Sequence, residues 1–135
     1  MRVLIVEDDF TSRQLMQILI ARFGSYDVAT NGYEAVSLLK SALDEGKRYD
    51  LICLDINMPE MDGQEALKRI REIENAHGIK GSERTKIIMT TAYSNYENVA
   101  NAFEEQCDAY IVKPLEIDKF DQTLINLSLI KGSNN

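Results

Sequence analysis

Five short apolar runs, each followed by a stretch with helical spacing, constrain this chain more than any other feature. Arg2 to Val6, Tyr26 to Ala29, Leu51 to Leu54, Lys86 to Thr90 and Ala109 to Val112 are rich in branched or aromatic residues. They are too short to be helix interiors and read as strands. Between and after them apolar residues recur at helical spacing: Leu15, Ile18, Leu19 and Phe23; Ala35, Val36, Leu38, Leu39 and Leu43; Ala66, Leu67, Ile70 and Ile73; Val99, Ala102 and Phe103; Ile117, Phe120, Leu124 and Leu127. Thr11 or Ser12 is expected to cap the first helix, Ser94 or Asn95 to start the fourth, and Asn31-Gly32 to form a turn. His77 to Lys86, with two glycines and mixed charge, reads as an exposed loop. Strands that are nearly all apolar, alternating with helices, imply a parallel sheet covered on both faces: an α/β, doubly wound fold with right-handed crossovers. About five βα units fill the 135 residues. The expectation is one domain over 1–131 and a frayed tail over 132–135.

In a parallel sheet the carboxyl ends of all strands share one edge, and ligands of open α/β sheets bind there. The chain places Asp8 and Asp9 after the first run, Asp55 after the third, Thr91 after the fourth and Lys113 after the fifth. Carboxylates gathered this closely raise one another's pKa unless a cation sits among them. A hard divalent ion with oxygen ligands, Mg²⁺ above all, suits such a set. A carboxylate can also act as a nucleophile and form an acyl phosphate. Phosphoryl transfer asks a protein for little beyond position and charge neutralisation, which Lys113 and the Thr91 hydroxyl are placed to give. The residue two past Asp55 is Asn57, and an amide cannot activate water as a carboxylate would. Acceptance of a phosphoryl group from a reactive donor, with slow hydrolysis, is the expected chemistry.

Composition narrows the classes. A net charge of −7 and a pI near 4.7 argue against direct nucleic-acid binding. The apolar 44% is enough for a real core. Cys53 and Cys107 share no short metal-ligand spacing and read as reduced, structural thiols, which fits the cytoplasm. There is no apolar run long enough for membrane insertion and no signal peptide pattern.

Four pieces carry a resemblance: VLIVEDD (Val3 to Asp9), LICLDINMPEMDG (Leu51 to Gly63), IIMTTA (Ile87 to Ala92) and AYIVKP (Ala109 to Pro114). Each alone is modest; together, in order and over nearly the whole chain, they resemble the receiver domain of two-component response regulators, especially the chemotaxis-type single-domain regulators. The resemblance implies a flavodoxin-like sheet of order 2-1-3-4-5. It implies that Asp55 is the phosphoacceptor and that Mg²⁺ is held by Asp8, Asp9, Asp55 and the main-chain carbonyl of Asn57. Lys113 would pair with Asp55 and then with the phosphoryl group. Thr91 would move to hydrogen-bond that group, Tyr110 would turn inward behind it, and Ala92 would leave it accessible. The Lys113-Pro114 bond would be cis. The chain departs from the commonest pattern at Cys107-Asp108, where a Gly-Ala pair is frequent, and in a longer segment from Asn75 to Thr85.

The function so implied is a phosphorylation-controlled switch. A sensor histidine kinase or phosphotransfer protein would be the donor, and a downstream protein bound in trans the target, with a phosphorylation-dependent dimer as a further expected partner state. Met1 just before the first strand and the short polar tail fit a stand-alone protein or an excised receiver equally. A phosphatase working through an aspartyl-phosphate is the enzyme alternative, disfavoured by Asn57 and by the lack of a cap domain. A flavin carrier on the same fold would need a phosphate-binding loop where this chain has acid. A receiver-like module that binds partners without phosphorylation is the remaining alternative.

Overall fold

The five runs form a single sheet in the computed structural model, which describes residues 1–92 and 107–132. The order of elements is β1 (Arg2–Val6), α1 (Phe10–Ala21), β2 (Ser25–Ala29), α2 (Gly32–Asp44), β3 (Leu51–Asp55), α3 (Gly63–Ala76), a 3₁₀ turn (Gly81–Glu83), β4 (Lys86–Thr91), β5 (Ala109–Val112) and α4 (Ile117–Asn126). The helix expected to begin at Ser94 or Asn95 lies outside the described residues, and so do its Val99, Ala102 and Phe103. Every pairing is parallel, and the strand order is β2-β1-β3-β4-β5. The fold class read from the sequence, and the order that the resemblance implies, are both observed.

Successive residues of a strand point to opposite faces, and the two faces carry separate cores. Leu4 and Val6, Ile52 and Leu54, and Ile87 and Met89 face one way and pack under α2 and α3. Val3 and Ile5, Leu51 and Cys53, and Ile88 and Ile111 face the other way, under α1 and α4. Helix α4 is fixed by Phe120 and Leu124, both fully buried. Cutting Phe120 back to alanine would cost about 3–5 kcal/mol. No described helix is long and apolar enough to cross a membrane. The edge strand β2 departs from the all-apolar expectation, since Ser25 and Tyr26 are exposed.

Two expectations about α1 are corrected. Its buried face is Met16, Leu19 and Ile20, with Leu15 and Phe23 half-buried, whereas Ile18 is 66% exposed. Ile18 stands two positions from both Met16 and Ile20, so it cannot share their face of a helix with 3.6 residues per turn. The cap is Asp9, whose carboxylate accepts the Ser12 amide at 2.8 Å, and not Thr11 or Ser12. Asn31 likewise caps α2 and Asp62 caps α3.

The stretch read as an exposed loop holds a buried residue. Thr85 donates its amide to Glu74 Oε2 at 2.8 Å and its hydroxyl to the Tyr49 carbonyl at 2.9 Å. Arg71 joins the same cluster, bonding Glu74 at 2.6 Å, the Thr85 carbonyl at 2.9 Å and Asp108 at 3.1 Å. Asp108 also accepts the Ile87 amide at 2.8 Å. Each charge here is met by an opposite charge or a main-chain donor, as burial requires. The cluster lies at the amino-terminal edge of the sheet, away from the candidate site.

Candidate functional site

At the opposite, carboxyl-terminal edge the loops after β1, β3, β4 and β5 converge. Asp55 is the last residue of β3 and is buried, and β4 runs beside it with Thr90 as its neighbour in register. Gly63 explains how α3 starts so close by. Its amide donates to the Ile56 carbonyl at 2.9 Å, and an added Cβ would stand 2.3 Å from the Asp55 carbonyl oxygen. Only a residue without a side chain lets the helix close over the strand end.

Carboxylate oxygens of Glu7, Asp8 and Asp55 lie within 4.8 Å of one another. Glu7 is buried and was not among the residues chosen from the sequence. Asp9, which was chosen, turns its carboxylate back to cap α1, and its pKa is lowered first of all by the Ser12 amide. Asp9 still lines the small open cavity of about 280 Å³ over the cluster, with Asp8, Ser12, Asp55, Asn57, Ala92 and Lys113. The acidic group that the fold assembles is therefore Glu7, Asp8 and Asp55, with Asp9 at its rim. Arg13 holds the turn in place by donating to the main-chain carbonyls of Glu7 (3.1 Å) and Asp8 (3.3 Å).

The Lys113 ammonium bonds the Glu7 carboxylate and lies 3.6 Å from Asp55 Oδ2. The peptide bond to Pro114 is cis, as the resemblance implies. Asn57 donates its main-chain amide to Asp55 Oδ1 at 3.1 Å. Its side-chain Oδ1 accepts the Thr91 hydroxyl at 2.6 Å, a contact that no reading of the sequence placed. Thr91 is fully buried at the end of β4. Tyr110, on β5, is half-buried against the core under α2 and α3.

Burial pushes the Asp55 carboxyl up, to about 8, and the neighbouring Glu7 adds to the shift; Lys113 and the Asn57 amide pull it back only in part. Three carboxyl groups share one ammonium, so with all three ionised two negative charges lack a counter-charge within the cluster. That donor set fits a hard divalent cation: oxygen ligands, net negative charge and an open side toward the cavity.

The response regulator receiver domain family model matches residues 3–125. "Transcriptional regulatory protein DltR" of Streptococcus agalactiae is 37% identical over 120 residues, covering 88% of this chain and 48% of that protein. "Probable histidine kinase 2" of Oryza sativa subsp. indica is 33% identical over 126 residues, covering 86% of this chain and 12% of that protein. The chain thus spans less than half the length of either relative. Among solved structures, the CheX-CheY-BeF3-Mg²⁺ complex from Borrelia burgdorferi is similar at TM-score 0.78 and 32% identity, over 96% of this chain and 90% of that one. The co-crystal of the Saccharomyces cerevisiae phosphotransfer protein Ypd1 with the Ssk1 receiver domain is similar at TM-score 0.82 and 26% identity, over 100% and 93%. With its sheet order, its buried acid at the end of β3 and this match over most of its length, the chain belongs to the response regulator receiver domain family.

Proposed function

We propose that this chain accepts a phosphoryl group on Asp55 and reports it through Thr91 and Tyr110. The observation that carries the reading is the position of Asp55: a buried acid at a strand end, 3.6 Å from an ammonium and within 4.8 Å of two further acids. Asp55 supplies the attacking oxygen. Lys113 moves its attraction from Glu7 and Asp55 to the incoming phosphoryl oxygens. Glu7, Asp8, Asp55 and the Asn57 main-chain carbonyl are the residues that would hold Mg²⁺; Asp9 moves from that set to the rim. Mg²⁺, when bound, neutralises charge on the transferring group and keeps Asp55 ionised. Thr91 donates to the new phosphoryl group, and Tyr110 packs inward behind it.

The donor is a phosphohistidine of a kinase or phosphotransfer protein, in keeping with the Ypd1–Ssk1 co-crystal among the similar structures. The target is a protein that reads the changed face, and the setting is the cytoplasm. Hydrolysis is slow, because neither Asn57 nor Ala92 offers a base to water. Turnover of a generic phosphate ester would favour the phosphatase alternative instead.

The test is incubation with acetyl phosphate and Mg²⁺, wild type beside Asp55→Asn, followed by intact mass. A labile gain of one phosphoryl group on the wild type alone is expected. Its absence from the wild type sinks the reading, and its persistence in Asp55→Asn means another residue is the acceptor.

A further inference from the structure

Asn57 touches both residues on which the proposed switch turns. Its main-chain amide donates to Asp55 Oδ1 at 3.1 Å, and its side-chain Oδ1 accepts the Thr91 hydroxyl at 2.6 Å. The first contact needs no particular side chain. The second does, since alanine or leucine at this position offers no acceptor.

A hydroxyl has one proton to donate. A phosphoryl group on Asp55 brings oxygen acceptors to the edge where Thr91 ends β4. Thr91 can donate to those oxygens or to Asn57, and not to both. The two bonds therefore belong to two different arrangements of the site. We propose that the Asn57 side chain is a positioning residue that holds Thr91 in the unphosphorylated arrangement and thereby sets the threshold of the switch. This rests on the reading of Asp55 as phosphoacceptor.

The size of the effect follows from exposure. Thr91 is fully buried, but Asn57 is exposed. When the bond breaks, water can take the place of Thr91 at Asn57 Oδ1, so the bond weighs as an ordinary exchangeable one, about fivefold in an equilibrium constant. A charged phosphoryl acceptor makes a bond roughly twice as strong as a neutral one. The restraint is thus strong enough to bias the resting state and weak enough for phosphorylation to override. A side chain that merely propped the loop would show no dependence on the Thr91 hydroxyl, and that separates the two roles.

The experiment measures binding of beryllofluoride, a phosphoryl mimic, at saturating Mg²⁺, so that differences in metal affinity drop out. Wild type, Asn57→Ala, the near-isosteric Asn57→Leu, Thr91→Val and the double variant Asn57→Ala/Thr91→Val are compared, each with its thermal midpoint recorded. Tightening of about fivefold is expected in both Asn57 variants, and weakening in Thr91→Val. The double variant should match Thr91→Val, because without the hydroxyl there is nothing to release. Unchanged or weaker binding in both Asn57 variants overturns the proposal, as does tightening that survives in the double variant. If the wild type itself takes up no beryllofluoride, the phosphoacceptor reading fails first and the proposal falls with it. The wild-type result alone distinguishes the two failures.

Discussion

Glu7 and Lys113 are joined by an ion pair across the carboxyl edge of the sheet, although 106 positions separate them in the chain. The pair links the end of β1 to the end of β5, with its ammonium 3.6 Å from Asp55 Oδ2. Loss of Glu7 should therefore act on the metal and on Lys113 together. Outer partners of metal ligands alone are worth ~10–100-fold in affinity, so Glu7→Gln is expected to weaken Mg²⁺ binding by at least about tenfold. Asp9→Asn should change it far less. Fluorescence or calorimetric titration with Mg²⁺ decides; equal losses in the two variants would return Asp9 to the ligand set.

Gly63 makes a second prediction. A methyl group there meets the main chain of Asp55 and Ile56, with contacts of 2.3 and 2.6 Å, and neither neighbour is a flexible side-chain end. Gly63→Ala should cost about 1–3 kcal/mol by overpacking and slow phosphoryl uptake, since the displaced residue is the proposed acceptor. Urea unfolding and the acetyl phosphate assay measure the two effects. An alanine variant of unchanged stability and uptake would contradict the packing described.

The buried cluster at the far edge predicts a stability effect without a functional one. Arg71 is 6% exposed and Glu74 1%, so Arg71→Met leaves Glu74 buried without its cation. About 3–5 kcal/mol of destabilisation is expected. Asp108→Ala should cost less, because Asp108 is more exposed and Arg71 keeps Glu74. Thermal or urea unfolding orders the two variants, and the reverse order would overturn the account.

Tyr49 carries a pH prediction. Burial, and then its bond to Asp27 at 2.7 Å, push the phenol up to about 12. A raised folded-state pKa means a contribution complete below the ordinary value near 10 and lost as pH rises toward 12. Tyr49→Phe should accordingly show a constant stability difference from wild type below pH ~10 and a shrinking one above it. Unfolding measured across that range checks the sign; a difference that grows with pH would refute it.

Much of this site was legible in the chain because strand ends are easy to find. Asp55 follows a run of four apolar residues, and Lys113 precedes a proline, so neither depended on fine placement. Glu7 was missed for a local reason. Three acids stand in a row, and which of them points inward depends on where α1 begins. Placing the cap at Thr11 or Ser12 left Asp9 free to be a ligand; with α1 starting at Phe10, Asp9 becomes the cap and Glu7 turns inward. Aspartate three positions before Ser12 was the available signal. The Asn57 to Thr91 bond had no such signal, because it joins the loop after β3 to the end of β4, 34 positions away. Asp108, where the chain departs from the commonest family pattern, is a partner of Arg71, which the sequence did not reveal.

The Arg71 cluster also divides β5 into unequal ends. At its start, Asp108 is tied to α3 through Arg71 and to β4 through the Ile87 amide. At its finish, the Lys113 side chain is held by Glu7 and by Asp55, whose charge would change on the proposed phosphorylation. Pairing with β4 holds all four residues of β5, and the Lys113 amide donates to the Thr91 carbonyl beyond them, so the main chain of β5 is fixed at both ends. A new charge at Asp55 would therefore be felt first by the Lys113 side chain, which among the described residues only carboxylates hold, and would reach the Asp108 end only through the sheet.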